Sequence, residues 1–308
     1  MLQFNKTFAA ASALLTAFAL AQFRADTRLV VLHASVVDKN GRLVTDLKKD
    51  AFRVLENNVE QPIRLFKRED VPVSLGLVID NSGSMRDKRK RVEAAALAAI
   101  KASNPQDEIT VVNFNDEAFQ DAPFTNDLKR LEEALTRIDA RGGTAMRDAI
   151  SMTFDYVKAK GKHDKKVLLI ITDGNDNTSV QISLEKLVDK VHRSETPVLL
   201  YFIGLLNEEE KREAKKAKRA MDTLAQASGG AAIYPKDVEE VEKVALQIAH
   251  EIRNQYVIAY TPLNQSLDGS FRSIKVLVNG PNRPTVRTRS GYYATPDTPG
   301  VAAQSRSG

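Results

Sequence analysis

Three short segments of this 308-residue chain gather small oxygen-bearing side chains around glycine. They are Asp80-Asn81-Ser82-Gly83-Ser84, Arg141-Gly142-Gly143-Thr144 and Thr172-Asp173-Gly174. Asp80, Ser82, Ser84, Thr144 and Asp173 together offer two carboxylates and three hydroxyls, with no sulfur or imidazole among them. Oxygen-only donors suit a hard divalent cation such as Mg2+, Ca2+ or Mn2+, and Mg2+ takes few protein carboxylates while keeping waters. If the hydroxyls of Ser82, Ser84 and Thr144 coordinate directly while Asp80 and Asp173 act mainly through water, such an ion keeps much of its positive charge and accepts an incoming carboxylate. Taken singly, the same residues have ordinary explanations: Asp80 or Asp173 shapes a turn, and Ser84 caps a helix starting near Met85. Gly83 fits a tight turn between the serines, and Gly142-Gly143 lets the backbone approach a crowded site.

For these segments to meet, they must lie at the ends of neighbouring elements. From Val71 to about Ile252, short apolar runs alternate with amphipathic helices, the pattern of an α/β fold with a doubly wound, mostly parallel sheet. Residues 73–79, 109–114, 167–171 and 198–203 are rich in Val, Ile and Leu, as strands covered on both faces require, and 231–234 is a shorter fifth run. Leu128, Leu131, Leu135 and Ile138 share one helical face, as do Leu184, Leu187, Val188 and Val191, and again Val238, Val241, Ala245, Ile248 and Ile252. Val92, Ala95, Ala96 and Ala99 give the helix after Asp80 a face small enough to lie close to the sheet. The first and third segments directly follow strands, at the carboxyl edge where open α/β sheets bind ligands. The second opens a helix near Ala145.

The Asp80-x-Ser82-x-Ser84 motif, the Gly143-Thr144 loop and the Thr172-Asp173-Gly174 strand end together resemble the metal-ion-dependent adhesion site of von Willebrand factor type A (VWA) domains. The resemblance covers about residues 71–252. It implies a Rossmann-like fold, a Mg2+ or Mn2+ ion, and binding of a partner protein through an acidic side chain that completes the coordination. Ser82, Ser84 and Thr144 correspond to direct ligands there, and Asp80 and Asp173 to mostly water-mediated ones. In the flanks, Phe52-Arg53-Val54-Leu55-Glu56-Asn57, Val71-Pro72-Val73-Ser74-Leu75, residues 256–260 and Arg289-Ser290-Gly291-Tyr292-Tyr293 look like exported bacterial proteins that carry this domain. Asp148, one turn into the following helix, reads as a dipole-complementing or supporting residue rather than a ligand. Asp173-x-Asn175-x-Asn177 begins like a Ca2+ loop, but Thr178 stands where glycine is needed and Leu184 where the bidentate acid is needed. Asn175, Asp176 and Asn177 are therefore assigned to the rim.

The flanks have an antiparallel texture. Residues 29–37, a turn at Asn40-Gly41, 52–55, a turn at Asn57-Asn58 and 63–66 read as short strands. Residues 256–260, a turn at Asp268-Gly269 and 271–278 read as a hairpin, and 285–289 as a further strand. Neither flank holds enough residues for its own core. This predicts one discontinuous antiparallel β-domain, residues 22–70 and 253–294, with the α/β domain of residues 71–252 inserted in it. Two separate β-appendages are the alternative. Residues 295–308 lack periodicity and read as a disordered tail.

At the N-terminus, Lys6, the apolar stretch 8–20 and Ala19-Leu20-Ala21 form a signal-peptide pattern with cleavage before Gln22. An uncleaved membrane anchor is the alternative, against which the run is shorter than the ~20 residues a spanning helix needs and carries Ser12 and Thr16. Removing residues 1–21 takes net charge from +5 to +4, mild for a chain of this size. The charged stretch 208–219 interleaves acids with bases and lacks aromatics, so it reads as an exposed helix and not a nucleic-acid surface. The absence of cysteine excludes disulfides, thiolate metal sites and a cysteine nucleophile. There is no phosphate-binding Gly-x-x-x-x-Gly-Lys loop, no Gly-x-Ser-x-Gly elbow and no His-Glu-x-x-His pair. His33, His163, His192 and His250 are scattered and read as structural or surface residues. The expectation is a non-enzymatic, metal-dependent protein-binding or adhesion module, exported to the periplasm, cell surface or medium. It has no transmembrane segment after cleavage, and its partner is a protein or extracellular-matrix ligand presenting Asp or Glu. A metal-assisted hydrolase and a metal-free structural scaffold are the alternatives.

Overall fold

The computed structural model describes residues 29–68, 70–137, 140–206 and 211–296. The expected signal peptide, Ile138 and the tail beyond residue 296 lie outside the described residues.

The first flank forms β1 (Val30–Val37), β2 (Phe52–Glu56), β3 (Val59–Gln61) and β4 (Ile63–Lys67). The α/β segment follows with β5 (Val73–Asp80), α1 (Arg89–Lys101), β6 (Glu108–Phe114), β7 (Ala118–Thr125), α2 (Leu128–Leu135) and α3 (Met146–Lys160). It continues with β8 (Lys165–Thr172), α4 (Leu184–Arg193), β9 (Val198–Gly204), α5 (Lys211–Ser228), β10 (Ala232–Ile233) and α6 (Val241–Arg253). The second flank adds β11 (Tyr256–Tyr260), β12 (Phe271–Val278), β13 (Thr285–Arg287) and β14 (Gly291–Tyr293).

The central sheet has the order β10-β9-β8-β5-β6-β7, parallel throughout except for β7 at one edge. Every residue of β5, β6, β8 and β9 is buried, because helices cover both faces. On one face, Leu77 and Ile79 pack with the small side of α1, with Leu131 of α2 and with Ile248 of α6; on the other, Val78 and Ile170 pack with Ile150 of α3, Leu187 of α4 and Leu224 of α5. At roughly 1.5–3 kcal/mol for each large apolar side chain removed from water, these layers make the sheet a rigid platform for its edge loops. Strand β7 has no counterpart among the apolar runs. It carries Gln120, Asp121 and Pro123 and buries only Ala122, which an edge strand tolerates. Of the exposed helix expected around residues 208–219, residues 208–210 lie outside the described residues, and from Lys211 the helix runs on to Ser228 and buries Met221 and Leu224.

The flanking strands pair differently from the expected hairpins. The Asn57-Asn58 turn joins β2 to β3, while β4 leaves for another sheet and pairs with β11. Strand β11 lies between β1 and β4, and β12 lies between β14 and β2, so 256–260 and 271–278 are not a hairpin. The two resulting sheets, β13-β1-β11-β4 and β14-β12-β2-β3, each draw strands from both flanks. Alternate residues Val30, Leu32, Ala34 and Val36 of β1 face Phe52, Val54, Ile258, Ile274 and Val276 in one core. Buried Glu56 accepts hydrogen bonds from Tyr260 at 2.7 Å and Tyr292 at 2.9 Å, tying the two sheets together. Buried polar residues join this unit to the central sheet. Gln255 donates to Ser35 at 3.0 Å and to Tyr201 at 3.1 Å, and Tyr201 donates to Glu251 at 3.0 Å.

Candidate metal centre

Strand order turns at the β5/β8 pair: β6 and β7 lie on one side of β5, and β8, β9 and β10 on the other. A reversal of this kind opens a crevice beyond the carboxyl ends of the two strands. Asp80 is the last residue of β5, and Asp173 directly follows β8. The Thr172 hydroxyl donates to Asp80 Oδ2 at 2.5 Å, and Ser82 N donates to Asp80 Oδ1 at 2.8 Å. The Asp80 carboxylate is thus held from both strand ends.

Backbone bonds fasten the three loops to one another. Gly83 N donates to Gly142 O at 3.0 Å, Arg141 N to Asn81 O at 2.9 Å, and Asn177 N and Thr178 N to Thr144 O at 3.1 and 3.2 Å. The Asn177 carboxamide oxygen accepts from Thr144 N at 2.9 Å, and Asp116, just beyond β6, accepts from Gly143 N at 2.8 Å. Asp80, Ser82, Thr144 and Asp173 are at most 2% exposed. Ser84 is exposed, with its hydroxyl 3.2 Å from that of Ser82. It does not cap a long helix: it sits in a short 3-10 turn, Gly83–Met85, and α1 begins only at Arg89. The structure therefore brings all five sequence-derived residues to one edge of the sheet, four buried and one open to water.

Glycine is required at Gly142, where φ is +76° and a Cβ would lie 2.1 Å from Asp116 Oδ2. Gly83 is different from expectation. It lies outside the left-handed region, and a Cβ there would meet Gly142 O at an ordinary 3.4 Å.

The electrostatics of the crevice are unbalanced. Burial, and then the negative charge of Asp173, pushes the Asp80 carboxyl up to about 7, against the bonds from Ser82 and Thr172. Among the described residues, none donates a hydrogen bond to either carboxylate oxygen of Asp173, and Lys88 Nζ lies 3.8 Å from its Oδ2. A fully buried carboxylate without hydrogen-bond donors is costly, and in native proteins such a group is usually explained by an ion, a water or a functional role. Two carboxylates and three hydroxyls form a donor set that fits a hard divalent cation. Among the described residues, no cluster of three or more His, Cys, Asp or Glu is arranged to hold a metal. A cation at this edge would therefore rely on the hydroxyls.

Two residues that matter here, Lys88 and Asp116, were not legible as such, and the supporting role read for Asp148 has a specific form. Asp148 neither points to a ligand role nor acts only on the helix dipole. Its buried carboxylate accepts from Val180 N at 2.9 Å and from Gln181 N and Ile182 N at 3.1 Å, clamping the loop that starts at Asp173. Asp176 assists by accepting from Arg147 N at 2.8 Å. Within this clamped loop Val180 is 89% exposed, and a groove of about 640 Å³ is bordered by Met146, Gly174, Asp176, Leu184 and Ala217. Lys88 was hidden in a basic run, and Asp116 in a polar turn. None of the described contacts places a histidine at the site: the His163 ring meets Gln106 O at 2.9 Å and His192 meets Ser290 at 3.0 Å. His33 is buried in β1, where burial and then Lys165 push its imidazole down to about 3.

Residues 75–175, from β5 through the start of the loop after β8, match the family model of the von Willebrand factor type A domain. The central segment has a VWA-like fold. The matched stretch contains Asp80, Ser82, Ser84, Thr144 and Asp173. Among solved structures, a von Willebrand factor type A protein from Catenulispora acidiphila is similar with a TM-score of 0.51 at 14% identity, over 89% of this chain and 75% of that one. At that identity the likeness speaks for the VWA fold alone. An aerotolerance-related membrane protein from Bacteroides fragilis gives a TM-score of 0.47 at 16% identity, over 58% of this chain and 99% of that one. The vWF domain of the type V pili tip protein Mfa5 from Porphyromonas gingivalis gives 0.47 at 13% identity, over 59% and 97%. No curated protein matches the chain.

Proposed function

We propose that the protein is an exported, adhesion-type binding module. In this reading its VWA domain holds Mg2+ or Mn2+ through Asp80, Ser82, Ser84, Thr144 and Asp173, and docks an acidic side chain of a partner protein or matrix ligand. The observation that carries the reading is the Asp173 carboxylate, fully buried at the carboxyl edge of the sheet with no hydrogen bond to either oxygen among the described residues. When bound, the ion supplies an open coordination position for a carboxylate oxygen. The chain's own residues set how strongly that position attracts an acid. Asp80, oriented by Ser82 N and Thr172, and Asp173 contribute the negative charge. The hydroxyls of Ser82, Ser84 and Thr144 add donors without adding further negative charge to the centre. Gly143 N and Thr144 N are occupied by Asp116 and Asn177, which keeps the second loop in place before a partner arrives. A pre-set surface loses little entropy on binding.

Binding without turnover is the reading the surroundings favour. A hydrolase needs a positioned general base, whereas two of the charged side chains nearby, Lys88 and Asp116, are engaged with Asp173 and with Gly143 N. Export is supported by the Lys6, 8–20 and Ala19-Leu20-Ala21 pattern. Among the described residues, no helix is long and apolar enough to cross a membrane.

The test is capture of native cell-envelope proteins on the immobilised full chain, with Mg2+ or with EDTA. Partner bands should vanish in EDTA and with Asp80→Ala, while circular dichroism shows Asp80→Ala still folded. Capture that survives both treatments would overturn the reading. Metal-dependent turnover of a phosphoester or peptide panel, lost in Asp173→Ala, would favour the hydrolase instead.

A further inference from the structure

Lys88 lies eight residues beyond Asp80, at the position just before α1. Its backbone is fixed: Lys88 N donates to Met85 O at 3.0 Å, and Lys88 O accepts from Arg91 N at 3.0 Å and Val92 N at 3.1 Å. Unlike the other bases of the run Arg86 to Arg91, it is buried, only 6% exposed, and its ammonium is directed at the crevice, 3.8 Å from Asp173 Oδ2. A charged head on a buried stem needs a reason, because long basic side chains normally keep that head in water. Here the reason is adjacent. Asp173 is a buried acid whose oxygens accept no hydrogen bond, and the second acid, Asp80, is buried beside it.

We propose that Lys88 is a resident counter-cation of the metal centre: it balances Asp173 in the metal-free protein and leaves the metal-loaded centre with a net positive charge for a partner carboxylate to neutralise. The inference rests on the reading of this edge as a divalent-cation site and adds a regulator to it. The charges are counted over the three buried side chains at the centre of the crevice. Asp80 and Asp173 contribute two negative charges and Lys88 one positive. A divalent ion takes the sum from minus one to plus one, and one incoming carboxylate takes it to zero. Without Lys88 the loaded centre is already neutral, and a carboxylate makes it negative. Lys88 therefore weakens the ion's hold and strengthens the hold on the acid. By linkage, an acid that binds the loaded centre tightens the metal in turn, and by the same factor. At low concentrations of divalent ion, Lys88 also keeps the crevice from opening under carboxylate repulsion.

The experiment titrates Mg2+ alone into the full chain at pH 8 by calorimetry, for wild type, Lys88→Met and Lys88→Arg, and measures urea stability of each in EDTA. Lys88→Met should bind Mg2+ at least tenfold more tightly than wild type, be less stable in EDTA, and gain more stability from Mg2+. Lys88→Arg, which keeps the charge, should stay within about threefold of wild type. A tenfold change corresponds to about 1.4 kcal/mol. If Lys88→Met does not fold, Lys88→Gln removes the charge while keeping a polar head, and the same tightening is expected. Repeating the titration in acetate against chloride reads the second half: acetate should tighten Mg2+ binding more in wild type than in the uncharged variant. Equal or weaker Mg2+ binding in the uncharged variants, with wild type binding normally, overturns the role of Lys88 and leaves the metal centre standing. No Mg2+ binding by any of the proteins overturns both.

Discussion

Replacing Asp148 by Ala removes the clamp on the loop that begins at Asp173. Its carboxylate accepts from Val180 N at 2.9 Å and from Gln181 N and Ile182 N at 3.1 Å. Hydrogen bonds to a charged acceptor contribute roughly 1.5–3 kcal/mol each when nothing replaces them. These are only part-buried, and Val180 itself stands in water, so solvent recovers much of that loss. A net of about 1 kcal/mol per bond is the appropriate scale. Asp148 also lies in the first turn of α3, where a negative charge adds about 0.3–1 kcal/mol. Asp148→Ala should therefore cost about 3–4 kcal/mol, and Asp148→Asn, which keeps one acceptor, roughly half of it. Urea unfolding at pH 7 measures the cost, and amide exchange at residues 180–182 localises it. Fast exchange at those three amides with the core unchanged is expected for Asp148→Ala. A stability change under about 0.5 kcal/mol, together with unaltered exchange, would refute the clamp and the magnitude assigned to it.

Metal affinity should depend on pH through Asp80. Its carboxyl is raised to about 7 by burial and by Asp173, so below that pH an ion must displace a proton. Mg2+ affinity should be flat above about pH 7 and fall by up to about tenfold per pH unit below it, with protons released in calorimetry; pH-independent affinity from 5 to 8 contradicts this. The sign for His33 is separate. Its folded value is lowered from 6.5 to about 3, so only the unfolded chain takes up a proton as pH falls below 6.5. Stability should drop by about 2 kcal/mol between pH 7 and 5 from this group, and His33→Gln should remove that part of the slope in urea melts. Gly142→Ala places a methyl 2.1 Å from Asp116 Oδ2 at φ +76°, and should cost about 2–3 kcal/mol. Adding Asp116→Ala should recover the steric part, and no recovery would mean that the backbone conformation alone sets the cost.

What could be read from residue order alone was what depends on short-range pattern. Runs such as Val167-Leu168-Leu169-Ile170-Ile171 announce a strand buried on both faces, and a small polar loop after such a strand falls at the sheet's binding edge. Asp80, Ser82 and Asp173 were legible for that reason, whereas Thr144 was marked by the glycine loop that opens a helix. Pairing in the flanks was not, because short alternating strands such as β2 and β4 satisfy their pattern equally well with several partners. Only the shared core of Phe52, Tyr256 and Ile274 decides between them. Edge strand β7 escaped because one covered face demands little apolar content. Asp148 and Lys88 act across 32 and 85 residues, on Val180 and Asp173, and nothing in their local sequence marks those partners. Within Arg86 to Arg91 the bases look alike in sequence, and burial alone singles out Lys88.

The central claim is that the β5/β8 edge is a divalent-cation site built from two carboxylates and three hydroxyls. The most direct test is diffraction from crystals grown with Mn2+, using an anomalous difference map at the manganese edge. The account predicts one strong peak within coordinating distance of the hydroxyls of Ser82, Ser84 and Thr144, bridged to Asp80 and Asp173, and absent from Asp80→Ala crystals. A map with no peak there, or with the manganese held elsewhere while Asp173 pairs only with Lys88, would contradict it.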